Sequence, residues 1–349
     1  MNLDIAILLI EDGLLSGAIY VMMALGFVLI FNVTRVIFVP FGDLVAYAAL
    51  TLASFQLQRT PGTVSLIESL VGIVLILEFG KLYRSRQLRL LPRAVLIWGV
   101  LPLIPVAVTL WLGPITLPSY VAMPLTLALI LPLGPLLYRI VFQPIANAPV
   151  LVLLMVSVAL HFAVSGLALL YFGPEGLRTQ PFVRGSTSVF GFLIPSQLVV
   201  IVGFAALFSI LLFLFFRFTL TGMALRATAI NREGATLVGI RTTTAGSVAF
   251  LLAAGMATVA GILISPTTTI YYDTGLNVGL KGFVGSVVGG FVSYPLAAFG
   301  AVLIGLIESF SSFYASALKE AIVFAAIIPI VLWRWLFVVR MGIEEPDEE

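Results

Sequence analysis

Five ionisable side chains lie within long apolar runs of the sequence, where a charge needs a specific explanation: Asp43, Glu68, Glu78, Lys281 and Glu308. In the hydrocarbon core of a bilayer a charged side chain costs at least about 2.5–3.5 kcal/mol, so each must pair, bind or reach water. We predict a solute pathway that includes Gly42, Asp43 and Glu308. The structural alternatives are a helix cap for Asp43 and a hydrogen bond between helices for Glu308.

The residue types give little support for a metal site, a thiolate site or a nucleotide-phosphate site. The chain has one histidine and no cysteine, which excludes thiolate sites and sites with several histidines. It also has no G-x-x-x-x-G-K-[ST] phosphate loop. We therefore expect no enzyme activity, no metal and no cofactor. We interpret His161 as a hydrogen-bonded interior residue rather than a proton relay, and Glu78 as the partner of Lys81.

The composition is that of a membrane protein. Hydrophobic residues make up 61% of 349 residues and charged residues only 10%, whereas soluble domains have roughly 45–50% and about 25%. The formal net charge of +2 does not indicate nucleic-acid binding. The expected environment is therefore a lipid bilayer.

A helix needs about 20 apolar residues to cross the hydrocarbon core. The sequence predicts an all-α polytopic bundle of transmembrane helices with about ten or eleven spans. A short Gly-rich stretch, 278–292, is expected to be a half-helix or a tight crossing. Stripes of small residues are expected in the helix contacts, and the prolines between Pro102 and Pro135 predict kinked or broken spans. The remaining predicted spans are 13–31, 36–56, 63–80, 94–112, 117–138, 149–172, 196–216, 244–265, 295–313 and 319–337.

Lysine and arginine set the predicted orientation, because cytoplasmic loops carry an excess of them. Segment 81–93 holds five basic residues and no acid, and segment 217–241 holds four arginines against one glutamate. Alternating spans place both segments on one side, which we predict to be cytoplasmic. Arg35 and Arg139 are expected on that side. If 278–292 crosses, Arg334, Arg340 and the acidic tail 344–349 are expected there too, and Arg184 is expected on the other side.

The loop around 226–241 and the residues just before it are expected to form two short helices, the first over 222–229 and the second from 232. Asn231 is expected to cap a helix from 232, because its side chain can accept bonds from the first amides. Glu233 lies in the first turn, where the helix dipole favours an acid. Gly239 is placed to end the helix. We predict that Ala235, Leu237 and Val238 form an exposed apolar face that docks into a partner. The alternative is a solvated connector.

The stretch "EGATLVG", 233–239, resembles the E-A-A-x-x-x-G loop of ABC importer permeases, with Gly234 in place of the first alanine. The wider sequence is similar to the branched-chain amino acid permeases of that group. The resemblance covers most of the chain outside 57–138. The stretches that carry it are 17–49, 141–162, 222–240, 253–263 and 279–309. Phe38 and Phe41 lie where the family often has asparagine and histidine.

The resemblance implies one permease domain over 1–349 with a cytoplasmic coupling loop at about 217–243, in the cytoplasmic (inner) membrane of a bacterium. The implied partners are ABC ATPase subunits, a second permease subunit, identical or homologous, and an external solute-binding protein. The implied cargo is a branched-chain or related amino acid, with amides, urea and aromatic acids left open. The residues it assigns to coupling are Arg226, Asn231, Glu233, Gly234, Ala235, Leu237 and Gly239.

Two other functions fit the residues less well. An ion- or proton-coupled secondary transporter of small organic solutes needs ionisable groups inside the membrane, and the chain has few. An intramembrane enzyme needs a nucleophile with a base, or a metal, and the sequence has no such set.

Overall fold

The computed structural model describes residues 3–113, 115, 117–183, 185–189 and 192–332 of the chain. These residues are mostly helical, since a helix satisfies its own backbone hydrogen bonds, as lipid requires. The first half contains α1 Leu3–Thr34, α2 Phe41–Gln56, α3 Thr63–Arg84, α4 Leu91–Val95, α5 Leu101–Leu112, α6 Ser119–Ile130, α7 Leu133–Leu137 and α8 Val150–Phe172. The second half contains β1 Ser186–Val189, β2 Phe192–Pro195, α9 Ser196–Phe218, α10 Leu220–Ile230, α11 Arg232–Leu237, α12 Thr242–Ile264, α13 Thr274–Val288, α14 Tyr294–Tyr314 and α15 Lys319–Ala325.

Within the described residues, eight helical segments are long and apolar enough to cross a bilayer. They are Ile5–Thr34, Thr63–Arg84, Leu88–Leu112, Ser119–Phe142, Val150–Phe172, Ser196–Phe218, Thr242–Ile264 and Tyr294–Tyr314. They confirm the predicted all-α membrane bundle. A short antiparallel hairpin, β1–β2, pairs Ser186 with Pro195 in the connection before α9.

Two short helices explain most of the difference from the predicted ten or eleven spans. The predicted span 36–56 is the 16-residue α2, and the predicted stretch 278–292 is the 15-residue α13. Residues 41–55 of α2 are all buried, between α12, α13, α6 and α8. A helix enclosed by protein need not match the thickness of the bilayer. The predicted span 319–337 begins with α15 and ends outside the described residues. The predictions for Arg184, Arg334, Arg340 and 344–349 also lie outside the described residues.

Prolines distort two of the crossing segments, as predicted. A π-helical turn, Leu96–Val100, comes just before Pro102 and Pro105. Another, Tyr138–Phe142, follows Pro135 and the break between α6 and α7. Proline lacks the N–H that would bond the carbonyl four residues earlier, so the hydrogen-bond ladder shifts locally.

Small residues bring the central helices into close contact, which confirms the predicted packing. A Cβ on Gly17 of α1 would lie 2.9 Å from Val302 Cα of α14. A Cβ on Gly285 of α13 would lie 2.9 Å from Ala301 Cα. Gly261 of α12 lies directly against the backbone of α2 at Val45. Larger residues at these positions would force the helices apart.

Candidate functional site

The loop between α9 and α12 is the candidate coupling site, and it is a pair of capped helices. Thr219 caps the start of α10, because its side chain accepts a hydrogen bond of 3.0 Å from Gly222 N. Asn231 ends α10 and caps α11, because its Oδ1 accepts a bond of 2.8 Å from Gly234 N. Glu233 lies in the first turn of α11. The predicted cap and both predicted helices are confirmed.

Gly239 ends α11 in a Schellman motif. Ile240 N donates to Ala235 O at 2.9 Å, and Gly239 N donates to Thr236 O at 3.0 Å. The φ angle of Gly239 is +87°, in the left-handed region that glycine adopts without strain. A Cβ added there would meet none of the described heavy atoms within 4 Å. Backbone conformation, rather than space, favours glycine here.

The predicted apolar face is wrong in one residue. Ala235 is only 3% exposed and faces inwards, whereas Leu237 is 88% and Val238 75% exposed. Residues two apart on a helix point in nearly opposite directions, so Ala235 and Leu237 cannot share a face. Ile230, at the end of α10, is 82% exposed. We call Ile230, Leu237 and Val238 the apolar knob.

The loop is tied tightly to the bundle. Only Thr219 separates α9 from α10, and α12 begins three residues after Gly239. Arg232 Nη1 donates a 2.8 Å hydrogen bond to Ala146 O in the connection before α8. Glu233 and Arg226 are exposed, and Gly234 is half-buried beside the Asn231 cap. The loop is therefore linked directly to α9, to α12 and to the connection before α8.

Asp43 and His161 form a buried pair within the bundle. His161 Nδ1 lies 2.7 Å from Asp43 Oδ2. The predicted cap is wrong, because Asp43 lies in the first turn of α2 and its hydrogen bond goes across to α8 rather than to a backbone amide. Asp43 Oδ1 has no hydrogen-bond partner among the described residues. The interpretation of His161 as a hydrogen-bonded interior residue is confirmed.

Gly42 lies where α2 meets α13 backbone to backbone. A Cβ on Gly42 would lie 2.8 Å from Gly279 Cα, and a Cβ on Gly275 would lie 2.8 Å from Asp43 Cα. The contact explains a glycine at 42 by packing alone. The pathway assignments of Gly42 and Asp43 stay predictions.

Glu308 joins four helical segments. Its Oε1 lies 2.5 Å from Lys281 Nζ of α13 and 3.3 Å from Lys319 Nζ of α15. Tyr20 of α1 donates a hydrogen bond of 2.5 Å to Oε2. The predicted bond between helices is confirmed, and Lys281 is explained by it. No sequence pattern indicated Tyr20 or Lys319 as partners of Glu308. The pairing of Lys281 with Glu308 could have been predicted, because each is an isolated charge in an apolar run.

The predicted Glu78–Lys81 pair is wrong. Glu78 is paired with Arg139, and Arg139 also bonds Gln143 Oε1 at 2.5 Å. The guanidinium lies 5.5 Å from the ring centroid of Trp98. Glu78 points into the bundle, away from the exposed Lys81. The pair links the ends of α3 and of the segment Ser119–Phe142, both predicted to be cytoplasmic.

The sequence matches known proteins over most of its length. The profile of the family "Branched-chain amino acid transport system / permease component" matches residues 9–332. The high-affinity branched-chain amino acid transport system permease protein LivH of Escherichia coli (strain K12) is 29% identical over 201 residues, which are 56% of this chain and 65% of LivH. LivH of Salmonella typhimurium matches equally well.

The permease protein BraD of Pseudomonas aeruginosa is 30% identical over 157 residues, 44% of this chain and 50% of BraD. The chain thus spans a little under two thirds of LivH and half of BraD. No solved structure matches it. The family profile covers nearly the whole described bundle and the loop between α9 and α12. This chain belongs to the family of branched-chain amino acid transport system permease components.

Proposed function

We propose that the chain is the membrane-spanning subunit of an ATP-driven ABC importer for branched-chain or related amino acids. Its partners would be two ATP-hydrolysing subunits, a second permease subunit, and an external protein that delivers the substrate. The membrane would be the cytoplasmic membrane of a bacterium, with the loop between α9 and α12 inside. The family supports the substrate class, and the missing phosphate loop supports separate ATPase subunits.

The observation that carries the proposal is the apolar knob. A capped helix and a glycine turn keep three large apolar side chains exposed. They lie at the end of the bundle that carries the basic loops. An apolar surface displayed on a short helix is typical of docking into a partner's groove. A solvated connector would not need Ile230, Leu237 and Val238 exposed together.

The connections of the loop support a transport mechanism of alternating access. ATP binding would draw the partner subunits together and displace the knob. The short linkers would pass this movement to α9 and α12, and the Arg232 bond would pass it to α8. Helix α12 packs against α2, which carries Asp43, and α8 carries His161. The proposed movement thus reaches the buried pair through direct contacts.

The test is a substitution in the knob. Leu237→Glu replaces an apolar contact worth roughly 1.5–3 kcal/mol with a charge, so ATPase binding should weaken by tenfold or more. Leu88→Glu makes the same change at an exposed position outside the loop and should retain binding. The measurements are membrane expression, co-purification of the ATPase encoded beside the chain, and amino acid uptake.

Both knob variants, Leu237→Glu and Ile230→Glu, should insert normally, because their side chains project away from the bundle. Full ATPase binding and full uptake in both variants would make the loop a solvated connector. Transport by the isolated chain, driven by an ion gradient in vesicles, would favour a secondary transporter instead.

A further inference from the structure

A cleft beside the coupling loop has the features of a lipid site. It has a volume of about 950 Å³ and lies between α1, α9, α10 and the start of α14. Its described lining includes three arginines and no carboxylate. The arginines are Arg35, Arg217 and Arg226.

The charges lie together at one end of the cleft. Arg35 follows the last residue of α1, and Arg217 is in the last turn of α9. The lining extends from there back to Leu25 on α1, about 15 Å away, and to Ser209 on α9, about 12 Å away, at 1.5 Å per residue. Leu212, Phe213 and Phe216 line that length. The cleft is thus cationic at one end and mainly apolar along its depth.

The three guanidinium groups have no salt bridge in the described part of the chain. Aromatic rings hold two of them: Arg217 lies 5.5 Å from the centroid of Phe218, and Arg35 lies 5.8 Å from that of Phe31.

Lipid is the chemistry that fits this distribution. Basic pockets between transmembrane helices on the cytoplasmic side bind the head groups of anionic lipids. Free phosphate would use the arginines but leave the apolar walls empty. A second copy of this chain on the same face would place its own arginines against these three, and the described lining of the cleft has no carboxylate to pair with them. Helix α9 has the smallest buried share of the eight crossing segments, 17%, so this flank is open to the bilayer.

We propose that the cleft binds an anionic phospholipid of the cytoplasmic leaflet, with its phosphate at Arg35, Arg217 and Arg226 and an acyl chain along α9. Ile230 borders the cleft and belongs to the apolar knob. The bound lipid therefore contacts the coupling helices and holds α10 against α1 and α9.

The experiment measures lipid retained by the full chain. The protein is reconstituted in nanodiscs of phosphatidylcholine with or without phosphatidylglycerol, extracted in mild detergent, and analysed by native mass spectrometry. Arg35→Gln and Arg217→Gln should each reduce retained phosphatidylglycerol about fivefold, the effect expected for one basic residue near a membrane surface. Arg86→Gln and Arg89→Gln, which change exposed arginines outside the cleft, are the matched controls.

Two further arms separate the possible occupants. Inorganic phosphate added to phosphatidylcholine nanodiscs should not raise the thermal stability of the protein, whereas phosphatidylglycerol should. Equal retention by the cleft and control variants would overturn the proposal. So would stabilisation by phosphate alone. Efficient disulfide cross-linking between two copies of Val292→Cys, at the mouth of the cleft, would assign the surface to a second subunit and also overturn it.

Discussion

At the scale of single residues, the described bundle resolves its buried charges by pairing. Asp43 is paired with His161, Glu78 with Arg139, and Glu308 with Lys281 and Lys319. Removing one partner of a buried pair leaves an uncompensated charge and costs about 3–5 kcal/mol. The pairs are therefore the positions where single substitutions should matter most.

The cluster at Glu308 is asymmetric, which leads to a prediction. Glu308→Gln leaves Lys281 buried without its counter-charge, so stability should fall by about 3–5 kcal/mol. Lys281→Met should cost less, because Glu308 keeps Lys319 at 3.3 Å and the hydrogen bond from Tyr20. The measurement is unfolding of the purified protein in one detergent.

The double variant Lys281→Met/Glu308→Met should regain part of the loss, since no buried charge is left unpaired in the α13–α14 contact. Glu320→Gln, on an exposed carboxylate of α15, is the control and should change stability by no more than about 0.5 kcal/mol. Equal losses in the two single variants would mean that neither Lys319 nor Tyr20 compensates Glu308 when Lys281 is removed.

At the scale of elements, the coupling helices show what local sequence determines. The Asn231 cap, the extent of α11 and the positive φ of Gly239 depend on neighbours within a few residues, so all three could be predicted. The inward orientation of Ala235 was also available from the helical period, since Leu237 is two positions away. The hydrogen bond from Arg232 to Ala146 joins residues far apart in sequence, and no local pattern indicates it.

The end of α11 gives the second prediction. Gly239→Ala requires an L side chain at a φ of +87°, which costs about 1–2 kcal/mol. Amide hydrogen exchange in α11 should accelerate about five- to thirtyfold, and ATPase binding should weaken with it. Gly239→Asn should lie between alanine and the parent, because asparagine adopts this conformation more readily.

Gly166→Ala makes the same change at an open position in the middle of α8, with an ordinary helical φ. It should be neutral or stabilising by up to about 1 kcal/mol. If Gly239→Ala behaves like Gly166→Ala, the left-handed turn is unimportant for the loop.

At the scale of the whole molecule, composition and hydropathy predicted an all-helical membrane bundle correctly. Eight segments of the described residues reach the length of a full span, whereas α2 and α13 are apolar but shorter. The ends of α1 and α9 line one cleft, so the chain between them must also cross at α2. Enclosure by other helices, which decides their role, arises from contacts across the whole chain. The pairing of Glu78 with Arg139 rather than Lys81 has the same origin.

The energy source gives the third prediction, which belongs to the whole assembly. Uptake in cells should stop when the partner ATPase is inactivated. It should continue after the proton gradient is collapsed, provided that ATP is maintained, because this chain has no phosphate loop and the proposed partners supply the energy. Radiolabelled amino acid uptake measures both conditions. Uptake that falls when the proton gradient is collapsed would favour an ion- or proton-coupled secondary transporter.

The enclosure of α2 has a consequence for how the protein is made. With 16 residues, α2 is too short to match a bilayer of about 30 Å by itself. The helices that surround it include α12 and α13, which leave the ribosome after two thirds of the chain has been synthesised. Until then α2 lacks its final neighbours, and its ends and its Asp43 carboxylate must stay hydrated or be sheltered by an insertion chaperone. Chains arrested before residue 242 should be the preferred targets of membrane proteases.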